Sequence, residues 1–183
     1  MKLIILDRDG VINQDSDAYI KSEEEWQQIP GSLEAIAQLN KHGYKIAVTT
    51  NQSGINRGFY DHDTLNSMHN KLRRLLTPLG GKIDAIFYCP HIPEDQCTCR
   101  KPMPGLFHRV NQFFGTPLNG VFAIGDSFRD LQAAMQVSAK PVLVLTGKGK
   151  ITLDKNADEI KTHNIPVFQN LSAAVQEILT RQS

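Results

Sequence analysis

Two aspartates near the amino terminus, Asp7 and Asp9, have the residue type and spacing to hold a divalent cation. They follow the apolar run Leu3–Leu6 and are followed directly by Gly10. Carboxylates two positions apart at the end of a strand can converge on one ion as the chain turns, and hard cations such as Mg²⁺ prefer oxygen ligands. Asp and Gly are also ordinary turn residues, so these residues alone leave a plain turn open.

Three later segments carry further polar groups. The segment Thr49–Ser53 offers hydroxyl and amide donors that can cradle a phosphate, although the same residue types often cap a turn. Asp126 can be a third carboxylate for the same cation, or the N-cap of a helix in which Asp130 favours the helix dipole. Arg100 and Lys101 precede a helix, where they can bind an anion or form a solvated pair of charges.

A compact set of soft ligands lies between these segments. Cys89, His91, Cys97 and Cys99 form the pattern C-x-H, five residues, then C-x-C. Three thiols and one imidazole complete a tetrahedral Zn²⁺ shell with no open position, which indicates a structural rather than a catalytic zinc. The number of cysteines is odd, and in a reducing cytosol such a cluster favours a metal over a disulfide. Three incidental free thiols beside a surface histidine are the alternative.

Short apolar runs alternate with helical patterns along the chain. Strands are predicted at Leu3–Leu6, Lys45–Thr49, Ala85–Tyr88, Val121–Ile124 and Pro141–Leu145, with a last apolar pair at Val167-Phe168. Helices are predicted around residues 33–39, 65–76, 106–113, 131–135 and 171–179. Strands interleaved with helices predict an α/β fold, with a parallel sheet covered on both faces.

Two long connections, residues 10–31 and 89–103, show no clear periodicity. Each directly follows a predicted strand, at the carboxyl edge where open α/β sheets bind their ligands. Long loops in a compact domain are usually functional or disordered. We found no repeat or linker, so we predict one domain over residues 1–183, with a zinc loop at about 89–101 inside it.

The composition argues against two classes of partner. The chain has 20 Lys plus Arg against 19 Asp plus Glu, a net charge of +1, so the basic excess of a nucleic-acid-binding protein is missing. No apolar run approaches the roughly 20 residues that span a bilayer, and the start has no signal-peptide core. We therefore expect a cytoplasmic protein that binds a small molecule and neither nucleic acid nor membrane, and we expect a monomer.

The order of the polar segments resembles the haloacid dehalogenase superfamily. Its pattern is D-x-D-G on the first strand, Thr or Ser after the second, Lys before a helix, and then G-D-x-x-x-D. The matching residues are Asp7, Asp9, Thr50, Lys101, Asp126 and Asp130. The resemblance implies a three-layer α/β/α Rossmann-like fold and a phosphatase.

The resemblance also implies a role for each matched residue. Mg²⁺ would be held by the carboxylates of Asp7 and Asp126 and by the backbone carbonyl of Asp9. Asp7 would attack phosphorus to give an aspartyl-phosphate, and Asp9 would serve as acid and then as base. The phosphoryl oxygens would be held by Thr50, Lys101 and the backbone of Asn51.

Further motifs narrow the resemblance within this superfamily. D-R-D-G, T-N-Q-S-G-I-x-R-G, C-P-H, C-x-C-R-K-P-x-P-G and G-D-S are similar to a capless branch with a zinc loop. Its members remove the C7 phosphate of heptose bisphosphates in bacterial heptose-nucleotide synthesis, which serves lipopolysaccharide, S-layer or capsule formation. Arg100 would then bind the C1 phosphate, because a guanidinium grips phosphate in bidentate fashion.

Four other positions match substrate-contacting segments of that branch, although solvent-facing loop polarity explains them nearly as well: Asp15, Tyr19, Gln52 and Ser53. Two departures stand out. The zinc loop has only five residues between His91 and Cys97, and Ser127 replaces a lysine found in some members. A shorter loop would enclose the sugar less completely, and the lost charge could change the preferred anomer.

Two other functions remain open at the level of sequence. Histidinol-phosphate phosphatases share D-x-D-G and a related zinc loop, and their cationic substrate would favour an acidic entrance such as Glu23–Glu25. A non-catalytic phosphosugar-binding or interaction module is the second. It would need one catalytic residue to be missing, and none is.

Overall fold

A single six-stranded sheet organises the protein, whose computed structural model describes residues 1–181. All strand pairs are parallel and the order is β3-β2-β1-β4-β5-β6. The strands are β1 Lys2–Leu6, β2 Tyr44–Asn51, β3 Ala85–Cys89, β4 Phe122–Gly125, β5 Lys140–Val144 and β6 Val167–Phe168. The chain order reverses between β1 and β4, and the carboxyl edge at such a switch point is where ligands bind in these folds.

Helices cover both faces of this sheet. Residues 1–181 contain α1 Ser32–Lys41, α2 His62–Leu76, α3 Gly105–Phe114, α4 Phe128–Gln136, α5 Gly149–Lys155, α6 Ala157–Thr162 and α7 Leu171–Thr180. Short 3₁₀ turns occur at Thr77–Leu79 and Pro93–Asp95. Within the described part of the chain, each helix is too short or too polar to cross a bilayer.

The central strand shows why three layers form. Ile4 and Leu6 pack with α1, α2 and α7 in one core, whereas Leu3 and Ile5 pack with α3 and α4 in another. Successive side chains of a strand point to opposite faces, so a run of four apolar residues must be covered on both sides. The predicted three-layer α/β/α fold is confirmed.

The predicted strands and long helices are found with small shifts at their ends. Two helices were missed, α5 and α6, which have 7 and 6 residues. They bury few residues (Gly149, Thr152 and Ile160), so neither shows the apolar stripe on which a sequence prediction depends.

The long connection after β1 is anchored without regular secondary structure. Trp26 is fully buried in the core, and Lys71 on α2 donates hydrogen bonds to the carbonyls of Glu23 and Trp26 at 2.7 and 2.8 Å. Isolated bridges join Asn13 to Asp9 and to Gln28. Between Leu6 and Ser32 the described chain has turns and bridges but no helix or ladder of the size of a cap domain, as predicted for a capless protein.

Candidate active site

The carboxyl ends of β1, β2 and β4 meet around one polar cavity of about 200 Å³. Because these three strands are neighbours in a parallel sheet, residues that follow them are brought to the same edge. All predicted catalytic, magnesium and substrate residues line this cavity: Asp7, Asp9, Asp15, Tyr19, Thr50, Asn51, Gln52, Ser53, Arg100, Lys101 and Asp126.

The buried ammonium of Lys101 joins the residues at the base of the cavity, which are Asp7, Thr49 and Asp130. Lys101 is 2% exposed, and its Nζ lies 3.0 Å from Asp7 Oδ1 and 2.7 Å from Asp130 Oδ1. It also donates to the Thr49 carbonyl at 2.8 Å. Burial alone would lower the pKa of Lys101, but the charges of Asp130 and Asp7 raise it further, so the amine stays protonated.

The carboxylates near this ammonium are suited to a divalent cation. Oxygens of Asp7, Asp126 and Asp130 all lie within 4.8 Å of one another. Burial first, and then the charge of Asp130, raise the pKa of Asp7 to about 7, and burial with Asp130 and Asp7 raises that of Asp126 to about 8. Both raised pKa values reflect carboxylates crowded together with one ammonium, an arrangement that a divalent cation would relieve, and hard oxygen donors are what Mg²⁺ requires.

Two glycines fix the position of Asp126. A Cβ on Gly10 would lie 2.0 Å from Asp126 Oδ2, and one on Gly147 would lie 2.2 Å from the same atom. Both residues have positive φ, 79° and 56°, which favours glycine. The backbone N–H of Lys148 donates to Asp126 Oδ2 at 2.8 Å. The backbone therefore surrounds this carboxylate closely and leaves it little freedom.

Asp130 positions Lys101 and caps a helix at once. Its Oδ2 accepts from the backbone N–H and the hydroxyl of Ser127, at 3.0 and 2.8 Å, while Oδ1 faces Lys101. Ser127 is the N-cap of α4 in a capping box, so the alternative reading of Asp126 as that cap is wrong. The Asp126 side chain instead lines the cavity.

The Asp9 carboxylate accepts hydrogen bonds from three neighbouring side chains. Oδ1 accepts from Arg8 Nε and Nη2 at 3.0 and 2.8 Å and from Asn13 Nδ2 at 2.8 Å, and Oδ2 accepts from Gln52 Nε2 at 2.7 Å. Burial would raise the pKa of Asp9, but the Arg8 charge and these donors together lower it. The side chain remains 21% exposed toward the cavity.

The end of β2 supplies hydroxyl and amide groups. Thr50 Oγ1 accepts from Gln52 Nε2 at 2.8 Å, so its own proton is available to a ligand. The Asn51 side chain pairs with the backbone of Lys101 in both directions, each at 3.0 Å. Asn51 therefore joins β2 to the Lys101 turn, and its backbone rather than its amide is left for a ligand. Gln52 and Ser53 are buried.

Cations line the mouth of the cavity. Arg100 is half-buried and donates to the His91 carbonyl at 3.2 Å, and Arg129 lies nearby on α4. Neither guanidinium has an ion-pair partner among residues 1–181. Burial and then the charge of Arg129 lower the pKa of Arg100, as expected for two cations that face an anion site.

The opposite wall is formed by the loop that contains Asp15 and Tyr19. Lys148 Nζ lies 3.6 Å from Asp15 and 3.4 Å from Asp17. The Tyr19 ring packs on Phe59 with centroids 5.0 Å apart. Asp15 is thus paired with Lys148 and ties the loop to the Asp126 segment, whereas Tyr19 presents a ring to the cavity.

The predicted zinc ligands converge at the end of β3. Sulfur–sulfur distances among Cys89, Cys97 and Cys99 are 3.1, 3.5 and 3.6 Å, and His91 Nδ1 lies 3.3 and 3.4 Å from two of them. These sulfurs are too far apart for a disulfide bond, and tetrahedral Zn–S bonds of about 2.3 Å would require separations of this size. The four ligands therefore fit Zn²⁺.

Four residues of the site were missed in the sequence: Arg8, Arg129, Lys148 and Tyr60. Arg8 and Arg129 stand inside the two aspartate motifs, but nothing in their spacing indicates where their side chains lie. Lys148 contributes a backbone N–H, which carries no sequence signal, and a side chain whose pairing with Asp15 and Asp17 depends on the folded loop.

Comparison with known proteins agrees with this geometry. A family model described as haloacid dehalogenase-like hydrolase matches residues 2–137. A D-glycero-beta-D-manno-heptose-1,7-bisphosphate 7-phosphatase of Pseudomonas putida is 52% identical over 98% of this chain and 100% of the relative. The enzyme of that name from Bordetella bronchiseptica is 50% identical over 98% of each chain.

Two solved structures are also similar. The D,D-heptose 1,7-bisphosphate phosphatase of B. bronchiseptica, complexed with magnesium and phosphate, superposes with a TM-score of 0.94 at 49% identity over 99% of both chains. That of Burkholderia thailandensis has a TM-score of 0.74 at 42% identity, over 98% of this chain and 99% of the other. These relatives are enzymes, which disfavours the non-catalytic alternative. Because the family model covers most of the chain and the relatives match nearly all of it, the chain belongs to the haloacid dehalogenase-like hydrolases.

Proposed function

We propose that this protein removes the C7 phosphate of D-glycero-D-manno-heptose 1,7-bisphosphate through an aspartyl-phosphate on Asp7. The observation that carries the proposal is the match, over nearly the full chain, to enzymes with this activity, together with one cavity lined by all the predicted residues. The two relatives are phosphatases named for the beta anomer of this substrate, and we propose the same preference here.

In the first step, Asp7 attacks phosphorus and the bond to the sugar oxygen breaks. Asp7, Asp126 and the Asp9 backbone carbonyl would hold Mg²⁺, which would supply positive charge against the phosphoryl oxygens. Lys101 Nζ, 3.0 Å from Asp7 Oδ1, adds a fixed cation, and the Thr50 hydroxyl donates to a phosphoryl oxygen. Both groups are already held by the protein, so little reorganisation is needed.

Asp9 handles the protons in both steps. As the acid it gives a proton to the departing C7 oxygen, which is otherwise a poor leaving group. As the carboxylate it then takes a proton from the water that attacks the aspartyl-phosphate, and the bond from Asp7 to phosphorus breaks. The acid form of Asp9 must arise with substrate bound, since its surroundings in this structure favour the carboxylate.

The second phosphate of the substrate is assigned to the mouth of the cavity. Arg100 is its main ligand in this proposal, because it is half-buried and has no carboxylate partner among residues 1–181. Arg129 adds a second positive charge nearby. A substrate with a phosphate at each end would then be held at both.

Histidinol phosphate is less well supported as the substrate. The acidic run that would attract its cation is partly neutralised, since Glu23 pairs with Arg74 and Glu25 with Lys21. The cavity lining instead contains Arg100 and Arg129, two cations that have no carboxylate partner among residues 1–181. A cationic substrate would meet charges of its own sign there.

The substrate test compares turnover of both anomers of the heptose bisphosphate with that of histidinol phosphate, at saturating Mg²⁺. We expect the beta anomer to give the highest kcat/KM, and Arg100→Gln to lower this value by about tenfold or more through KM. The same variant should leave p-nitrophenyl phosphate hydrolysis within about twofold, since that substrate has no second phosphate. Preference for histidinol phosphate would overturn the substrate proposal.

Removing the proposed zinc should weaken substrate binding without unfolding the core. Cys97→Ser, assayed with excess Mg²⁺, is expected to raise KM by about tenfold, because Arg100 follows Cys99 directly and would lose its fixed position, whereas Lys101 is still held by Asp7 and Asp130. Metal analysis should find one zinc per wild-type chain and less in the variant. A wild-type protein purified without zinc, with normal kinetics, would contradict the site.

We also propose that the chain acts as a single domain and as a cytoplasmic monomer. Its three cysteines lie within residues 1–181 and form no disulfide there, which is consistent with a reducing compartment.

A further inference from the structure

Arg8 lies between the two proposed catalytic aspartates and has no part in the mechanism described above. Its side chain is 1% exposed, although arginine is rarely buried this completely unless paired. Three of its contacts go to Asp9: Nε and Nη2 to Oδ1 at 3.0 and 2.8 Å, and Nη2 to Oδ2 at 3.1 Å. The guanidinium thus contacts both oxygens of the Asp9 carboxylate.

A neutral histidine supports the far side of this guanidinium. His69 on α2 is 3% exposed, and its Nε2 lies 3.4 Å from Arg8 Nη1. Burial, and then the charge of Arg8, lower the pKa of His69 to about 3, so the ring is neutral and Nε2 accepts from Arg8. Tyr88 packs against the ring, with centroids 6.4 Å apart. His69 is therefore held in place by its own neighbours.

Gln52 completes the support on the other side. Its Oε1 accepts from Tyr60 Oη at 2.6 Å and from Arg8 Nη2 at 3.3 Å. Its Nε2 donates to Asp9 Oδ2 at 2.7 Å and to Thr50 Oγ1 at 2.8 Å. The orientation of the Gln52 amide is determined by Arg8, which can only donate, and by the Asp9 carboxylate, which can only accept.

We propose that Arg8 and His69 are positioning residues that orient the Asp9 carboxylate for proton transfer to the leaving oxygen. The inference rests on the proposed role of Asp9. Arg8 and His69 do not line the cavity, whereas the Asp9 side chain lines it and stays 21% exposed, so the substrate can still reach the carboxylate. Without His69, the guanidinium would lose its fixed plane, and Asp9 would lose the geometry that proton transfer requires.

The test depends on leaving groups. An acid matters most when the leaving group is poor, so His69→Leu should lower kcat/KM by about tenfold for phenyl phosphate but by only about twofold for p-nitrophenyl phosphate. The effect should lie in kcat with KM nearly unchanged. His69→Gln, whose amide oxygen can accept from Arg8, should recover most of the loss. Asp9→Asn should change the ratio between the two substrates in the same direction.

Equal losses on both aryl phosphates, or no recovery in His69→Gln, would overturn the inference, because a merely structural role affects both substrates alike. If His69→Leu does not fold, Arg8→Lys serves instead, since it keeps the charge but loses the planar fork, and the same change in ratio is expected. Neither aryl phosphate contains a sugar, so a wild type inactive on heptose bisphosphate would refute the proposed substrate and leave this comparison intact.

Discussion

Asp7→Asn is expected to lower turnover by a factor on the order of 10⁴ or more, because an amide cannot form the acyl-phosphate that the reaction requires. The fold should survive. Asp7 lies among carboxylates that repel it, so its neutralisation removes a like-charge contact as well as the contact to Lys101. Phosphate release measures the first effect and thermal unfolding the second.

A matched control for this variant is Asp154→Asn, which alters an exposed carboxylate on α5. It should behave as wild type in both measurements. An Asp7→Asn enzyme that keeps a tenth of its activity would show that phosphate is not transferred to this residue, and the covalent mechanism would have to be abandoned.

Lys101→Met should have the second largest effect, and it should affect both catalysis and folding. Turnover is expected to fall by about 10²- to 10³-fold, since a fixed cation beside the transferring group is lost. The free energy of unfolding should fall by about 3 kcal/mol at neutral pH, because Asp7 and Asp130 are left without their buried partner. Denaturant titration measures the second quantity.

Magnesium gives this prediction a further check. A divalent cation replaces part of the lost positive charge, so Mg²⁺ should stabilise the Lys101→Met variant more than it stabilises the wild type. Lys150→Met is the control, because that lysine is exposed on α5. If the free energy of unfolding of Lys101→Met were unchanged, Asp7 and Asp130 would not need the ammonium as a buried partner, and the prediction would be wrong.

The main features of the site could be predicted from sequence because parallel sheets are simple. Once Leu3–Leu6 is a buried strand, Asp7 must lie at its carboxyl end, and the same argument places Asp126 after β4. Resemblance to a known family supplied the roles. The four zinc ligands are close in the chain, so their convergence also needed little knowledge of the fold.

Other features depend on contacts that the sequence pattern does not contain. Arg8 is next to Asp7 in the chain, yet one of the partners that hold its guanidinium is His69, which is 61 positions away. The N-cap of α4 is Ser127 rather than Asp126. The Asp126 carboxylate accepts from the Lys148 backbone N–H and lines the cavity instead. Short helices such as α5 bury too little surface to leave a pattern.

The segment after β5 has a consequence for where the protein can be cut. Thr146 donates to the Gly10 carbonyl at 2.6 Å, and Thr152 donates to the Asp126 carbonyl at 2.8 Å. Both lie beyond residue 137, where the matched family region ends. A fragment trimmed at that border would retain Asp7 and Asp126 but lose the hydrogen bonds that hold their two segments together, so we expect the smallest active unit to extend at least through α5.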